Sequence, residues 1–209
     1  MLPTSRISVG GAGRGGELCA VAGAQGLVVF VHATDNNHRH WRSAELAHQL
    51  QMRGLSTLLF DLLAAGEDAA PAKATDIELM AQRVLQALDA LPQELHGLPL
   101  GLFGSGIGTA AALVAETRYR PRVAAVVSRA GRPDLAGDAL AAVVAPTLLL
   151  VGAADAEVLE FNRWAYARLQ CEKRIELVPR ATRLFLEAGA LDAVARHAGD
   201  WFCAKLRHA

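Results

Sequence analysis

The stretch Leu100-Gly101-Leu102-Phe103-Gly104-Ser105-Gly106-Ile107-Gly108-Thr109 has the spacing of a turn that presents a nucleophile between a strand and a helix. Such a turn is so sharp that small residues are needed two positions before and two after the reactive side chain. Gly104 and Gly108 supply that spacing around position 106, and position 106 is itself glycine. Centring the frame on Ser105 instead puts Phe103 and Ile107 at the crowded positions. The spacing therefore predicts a nucleophile turn at Gly106 with no oxygen or sulfur to react, and Ser105 as a structural hydroxyl bonded to backbone.

A second cluster of chemically capable residues is His32-Ala33-Thr34-Asp35-Asn36-Asn37-His38-Arg39-His40. Imidazole and carboxylate are competent ligands for zinc and similar ions, but this spacing matches no metal motif. The expectation is no metal and no cofactor, with these side chains on a solvated surface or lining a pocket. Cys19, Cys171 and Cys203 are odd in number, widely spaced and without a Cys-x-x-Cys pair, so they are expected to be structural thiols.

The elements that must position these groups follow from apolar runs at residues 26–33, 55–62, 99–105, 123–128, 146–152 and 174–179. Runs unbroken by polar alternation suit strands covered on both faces. Helical periodicity lies between them, over about residues 41–53, 75–91, 107–118, 156–169 and 191–206, and the alternation predicts a mostly parallel sheet with helices on both sides. In the second of these, Thr75-Asp76-Ile77-Glu78 has capping-box spacing, and Ile77, Met80, Ala81, Val84, Leu88 and Leu91 share one face. Trp41, Trp164 and Trp201 fall in helical stretches and are expected to pack. The glycine-rich segment 7–23 predicts one or two antiparallel edge strands, and 64–74 has the composition of a mobile loop on the strand-exit side.

Composition narrows the classes of function. With 52% hydrophobic and 20% charged residues the chain suits one folded α/β domain over residues 1–209, without a large lid. Basic and acidic residues balance at 21 each, which offers no surface for nucleic acid or an anionic membrane. Neither a leader-like start nor an apolar run of roughly 18–20 residues is present in the sequence, so a cytoplasmic protein is expected, with a small-molecule ligand and possible homo-oligomers as partners.

Several segments together resemble the α/β-hydrolase fold, and within it the small dienelactone hydrolase-like proteins that also occur fused to phosphoribosyltransferase domains. They are Pro99-Leu100-Gly101-Leu102-Phe103-Gly104, Val126-Val127-Ser128-Arg129-Ala130-Gly131-Arg132-Pro133-Asp134-Leu135-Ala136, Leu150-Val151-Gly152-Ala153-Ala154-Asp155 and Leu177-Val178-Pro179-Arg180-Ala181-Thr182-Arg183-Leu184-Phe185. The resemblance implies a serine at the turn, an acid after the penultimate strand and a histidine after the last. Asp155 retains the acid, whereas Gly106 holds the serine position and Arg183 the histidine position.

Glycine carries no nucleophile, and arginine stays protonated and cannot act as a general base. What the resemblance implies is then a pseudoenzyme that keeps scaffold and pocket, with Asp155 ion-paired to Arg183 or capping the following helix. Pocket and oxyanion contacts fall to His32, Ala33, Thr34, Ser105 and Ile107. The alternative is a hydrolase of small esters or lactones working through Ser105 or the His32–His40 loop. Arg129, Arg132 and Asp134 are expected to hold a turn by ion pairs.

Overall fold

Thr4–Ser8 (β1) and Gly15–Cys19 (β2) form the edge hairpin. They precede Leu27–His32 (β3), Trp41–Gln51 (α1), Ser56–Phe60 (β4), Pro71–Ala74 (α2) and Ile77–Asp89 (α3). Leu100–Ser105 (β5), Gly108–Arg118 (α4), Val123–Arg129 (β6), Thr147–Gly152 (β7), Ala156–Arg168 (α5), Lys173–Val178 (β8) and Ala190–Leu206 (α6) complete the order. The computed structural model describes residues 4–8, 15–32, 41–60, 62–63, 67, 70–119 and 123–207.

The strands make one eight-stranded sheet in the order β1-β2-β4-β3-β5-β6-β7-β8. β1, β2 and β4 pair antiparallel, and every other pair is parallel. The apolar runs became these strands because alternate side chains enter different cores. Val29, Val31, Leu102 and Val126 pack with residues of α3 and α4 on one face. Val28, Phe30, Phe103, Ala125, Val127, Leu148 and Leu150 pack with residues of α1 and α6 on the other. Phe30 and Phe103 stack across neighbouring strands at 4.8 Å between ring centroids.

Three expectations change. Asp76, not Thr75, caps α3, its carboxylate accepting the Leu79 N–H at 2.9 Å. Glu78 is turned to Arg118 of α4, its oxygens accepting at 2.7 and 2.6 Å, and Oε1 also accepts from Gln82 Nε2. Trp201 is buried as expected, but Trp41 and Trp164 are exposed. Each lies near an arginine, with Arg168 3.5 Å from the Trp164 ring centroid and Arg42 5.6 Å from that of Trp41, an arrangement in which the ring face attracts the cation.

The stretch read as a mobile loop contains the short helix α2, and its Glu67 is tied to Lys73 and to the buried Arg83. The three cysteines are free, Cys19 buried and the others partly so. Among the described residues no helix is long and apolar enough to cross a membrane.

Candidate functional site

The site is built where β5 turns into α4. Gly106 has φ +54°, a conformation that L side chains rarely adopt, and a Cβ placed on it would meet nothing within 4 Å. Whatever occupies position 106 is thus presented to open space. Two residues earlier the geometry is the opposite: a Cβ on Gly104 would sit 2.6 Å from Thr109 Cα, so the start of α4 lies directly on the β5 backbone.

The turn is held from the β6 side. The Gly106 carbonyl accepts N–H bonds from Thr109 (3.2 Å) and from Arg132 (2.9 Å), the latter in the loop that follows β6. Thr109 Oγ1 and Ser128 Oγ share a buried hydrogen bond at 3.2 Å. Asn162 of α5 donates from Nδ2 to the Gly131 carbonyl at 3.0 Å, fixing that loop from below. Ile107 is the N-cap of α4, half-buried, where the free N–H groups of a helix concentrate partial positive charge.

Ser105 differs from its expected role, because among the described residues its hydroxyl makes no hydrogen bond to backbone. It is half-buried, with His32 of β3 and Arg129 of β6 as its register partners. A hydroxyl at a strand end keeps access to water, which removes the need for a protein acceptor. His32 is described only by its backbone. Ala33, Thr34, Asp35, His38, His40 and Asp61 lie outside the described residues.

Asp155 and Arg183 come from adjoining loops. Ala153 N–H donates to the Val178 carbonyl (2.9 Å) and Ala154 N–H to the Ala181 carbonyl (3.0 Å). A Cβ on Gly152 would lie 2.7 Å from the Thr182 carbonyl oxygen, so only glycine lets the loops lie this close. The turn around Arg183 is closed by Glu187, which accepts from Thr182 N–H at 3.0 Å and Thr182 Oγ1 at 2.6 Å. Phe185 anchors it in the core with φ +52°.

The ion pair anticipated between Asp155 and Arg183 does not form among the described residues. Asp155 instead caps α5, its Oδ1 accepting the Val158 N–H at 3.2 Å, while Arg183 is exposed. A cap satisfies an otherwise orphaned N–H three residues away, whereas an exposed ion pair contributes little and orders a long side chain. Asp155→Ala is accordingly expected to cost about 1 kcal/mol of stability in urea denaturation, with Asp155→Asn recovering most of it. An Ala variant as stable as wild type would remove the cap from the account.

Of the β6 exit residues, Arg132 and Asp134 do form the expected ion pair at 2.7 Å, and Arg132 also lies 3.8 Å from the Phe161 ring centroid. Arg129 takes no part in it. Among the described residues its Nε and Nη1 are sealed from solvent without a hydrogen-bond partner, as is Nε of Arg42. Burial and the Arg42 charge push the Arg129 guanidinium down to about 10. Sequence reasoning passed over Arg42, Thr109 and Asn162, which contribute to this region without belonging to any spaced motif.

No family model matches the chain. Dienelactone hydrolase from Anabaena variabilis is 41% identical, with a TM-score of 0.92 covering 99% of both chains. Est1E from Butyrivibrio proteoclasticus shares the fold at a TM-score of 0.79 over 97% of this chain and 98% of its own, with 13% identity. A Mycobacterium tuberculosis (strain H37Rv) protein provisionally named as a phosphoribosyl transferase is 45% identical over 189 residues, 90% of this chain. The chain spans 43% of that relative's length. An α/β-hydrolase sheet with a strand-to-helix turn at its centre defines the class. Within it, the chain belongs to the dienelactone hydrolase family.

Proposed function

We propose that this member of the dienelactone hydrolase family is a pseudoenzyme, a scaffold that binds a small molecule at the strand exits without serine-type hydrolysis. One observation carries the reading: the open position at φ +54° is filled by glycine, so the turn presents no oxygen to a substrate carbonyl. A second supports it: Arg183, in the loop that would supply the general base, is a permanent cation. In this reading Ile107 N–H, Ser105 and the segment 32–34 line the ligand pocket, and the protein works in the cytoplasm.

The test is to treat wild-type protein with a fluorophosphonate and, separately, with a short-acyl nitrophenyl ester, and to follow intact mass and nitrophenol release. The expected result is no adduct and release at the buffer rate. A phosphonyl adduct mapped to Ser105, with matching ester turnover, would overturn the proposal and make Ser105 a displaced nucleophile.

A further inference from the structure

We propose that Arg42 and Arg129 form a receptor for a small oxyanion, a carboxylate or phosphate group, at the strand-exit edge beside the Gly106 turn. The inference deepens the ligand-binding reading above, since it assigns the charge of the ligand.

Placement comes first. Ala125 and Val127 of β6 point into the core beneath α1 and α6, so by strand alternation Arg129 continues that row at the exit end. Its register neighbours are Ser105 on β5 and Leu150 on β7. Ser105 is the residue immediately before Gly106, so the Arg129 backbone lies one strand away from the turn that holds the open position. Arg42 stands in the first turn of α1, on the same side of the sheet, and its charge acts on Arg129.

The anomaly is the lack of a counter-charge. Buried or half-buried arginines elsewhere in the fold are matched: Arg83 by Glu67 at 2.6 Å and Arg132 by Asp134 at 2.7 Å. Among the described residues Arg129 has no carboxylate. One N–H on Nε and two on Nη1 are sealed without an acceptor, as is the N–H on Nε of Arg42. Arg129 as a whole keeps partial exposure, which leaves an anion a way in.

A cation sealed from water and within the field of a second one disfavours the folded state. A bound oxyanion would reverse this, because charge-assisted N–H···O bonds are strong where the dielectric is low. Among the described residues no carboxylate is paired with the cation held there.

The experiment is thermal unfolding of the full chain in sodium chloride, in inorganic phosphate and in succinate, all at matched ionic strength. Wild type is expected to gain about 5–10 °C at a hundredfold excess over Kd in at least one of the two anions. Phosphate acting alone assigns a phosphorylated ligand, and succinate acting alone a carboxylate. Arg129→Met is expected to be at least as stable as wild type in chloride and to bind the anion at least about tenfold more weakly. Arg42→Gln, at a less buried position, should weaken binding without perturbing the core. A wild type that responds to neither anion beyond chloride overturns the inference, as does an Arg129→Met or Arg42→Gln protein that keeps the full response. Ester turnover by a wild type that also binds the anion would sink the pseudoenzyme reading alone and leave this site standing.

Discussion

The Gly106→Ser, Arg183→His double variant is expected to hydrolyse a short-acyl nitrophenyl ester at least about a hundredfold faster than wild type. Position 106 has room for the hydroxymethyl group, since a Cβ there meets nothing within 4 Å. The positive φ makes any L residue at 106 strained by about 1–2 kcal/mol, so the gain in reactivity should come with a lower Tm. Arg183 sits in a turn whose shape depends on Glu187, Thr182 and the Phe185 anchor, none of which uses the Arg183 side chain. Histidine can therefore replace it without reshaping the loop, and a neutral imidazole at pH 7 can take the serine proton. Asp155 spends Oδ1 on its cap and retains lone pairs to orient an imidazole.

Each single variant should stay near the wild-type rate. Serine without a base is a poor nucleophile, and a base without a nucleophile has nothing to activate, so the two act as a unit. A folded double variant no faster than wild type would mean that the triad frame is misplaced. A wild type already as fast as the double variant would move the chemistry to other residues, starting with Ser105.

The parallel sheet was readable because its strands are short apolar runs separated by helical periodicity, and each run became a strand within one or two residues at either end. What escaped were competitions between adjacent candidates. Thr75 and Asp76 are both good caps, and in the fold it is the Asp76 carboxylate that takes the helix N–H while Glu78 turns to Arg118. Trp41 is the first residue of its helix, before the periodic face of α1 is established, so an apolar neighbourhood in sequence says little about its exposure.

Arg129 shows the limit at the site itself. The apolar run ends at Ser128, so the arginine after it looks like the start of a turn and a natural partner for Asp134. In space β6 runs one residue further, and strand alternation sets Arg129 apart from Arg132, which takes the carboxylate alone. Asp155 is a similar case: the spacing to Val158 is that of a cap, and the family frame pointed at the same residue for a different reason. The sequence marks Asp155 for both roles, and the fold shows the cap on Val158.

Gly131→Ala is expected to destabilise the protein by about 3 kcal/mol and to lower Tm by roughly 6–12 °C. A Cβ at Gly131 would overlap both Ser128 Oγ and Thr109 Oγ1, the buried pair that joins the end of β6 to the first turn of α4. Neither hydroxyl can swing away freely, because each is fully buried and their mutual bond would be broken without water to replace it. The backbone has to move instead, and Gly131 is held by Asn162 while its neighbour Arg132 donates to the Gly106 carbonyl. The strain therefore reaches the nucleophile turn.

Gly106→Ala supplies the control, since it adds the same methyl at a neighbouring turn where there is room for it. Its cost is the positive φ alone, about 1–2 kcal/mol. Thermal melts of the two variants should thus separate clearly, with Gly131→Ala the less stable. Equal losses would mean that the β6 exit loop yields easily and does not brace the turn, and that the open position at 106 is not held in place by the contacts described.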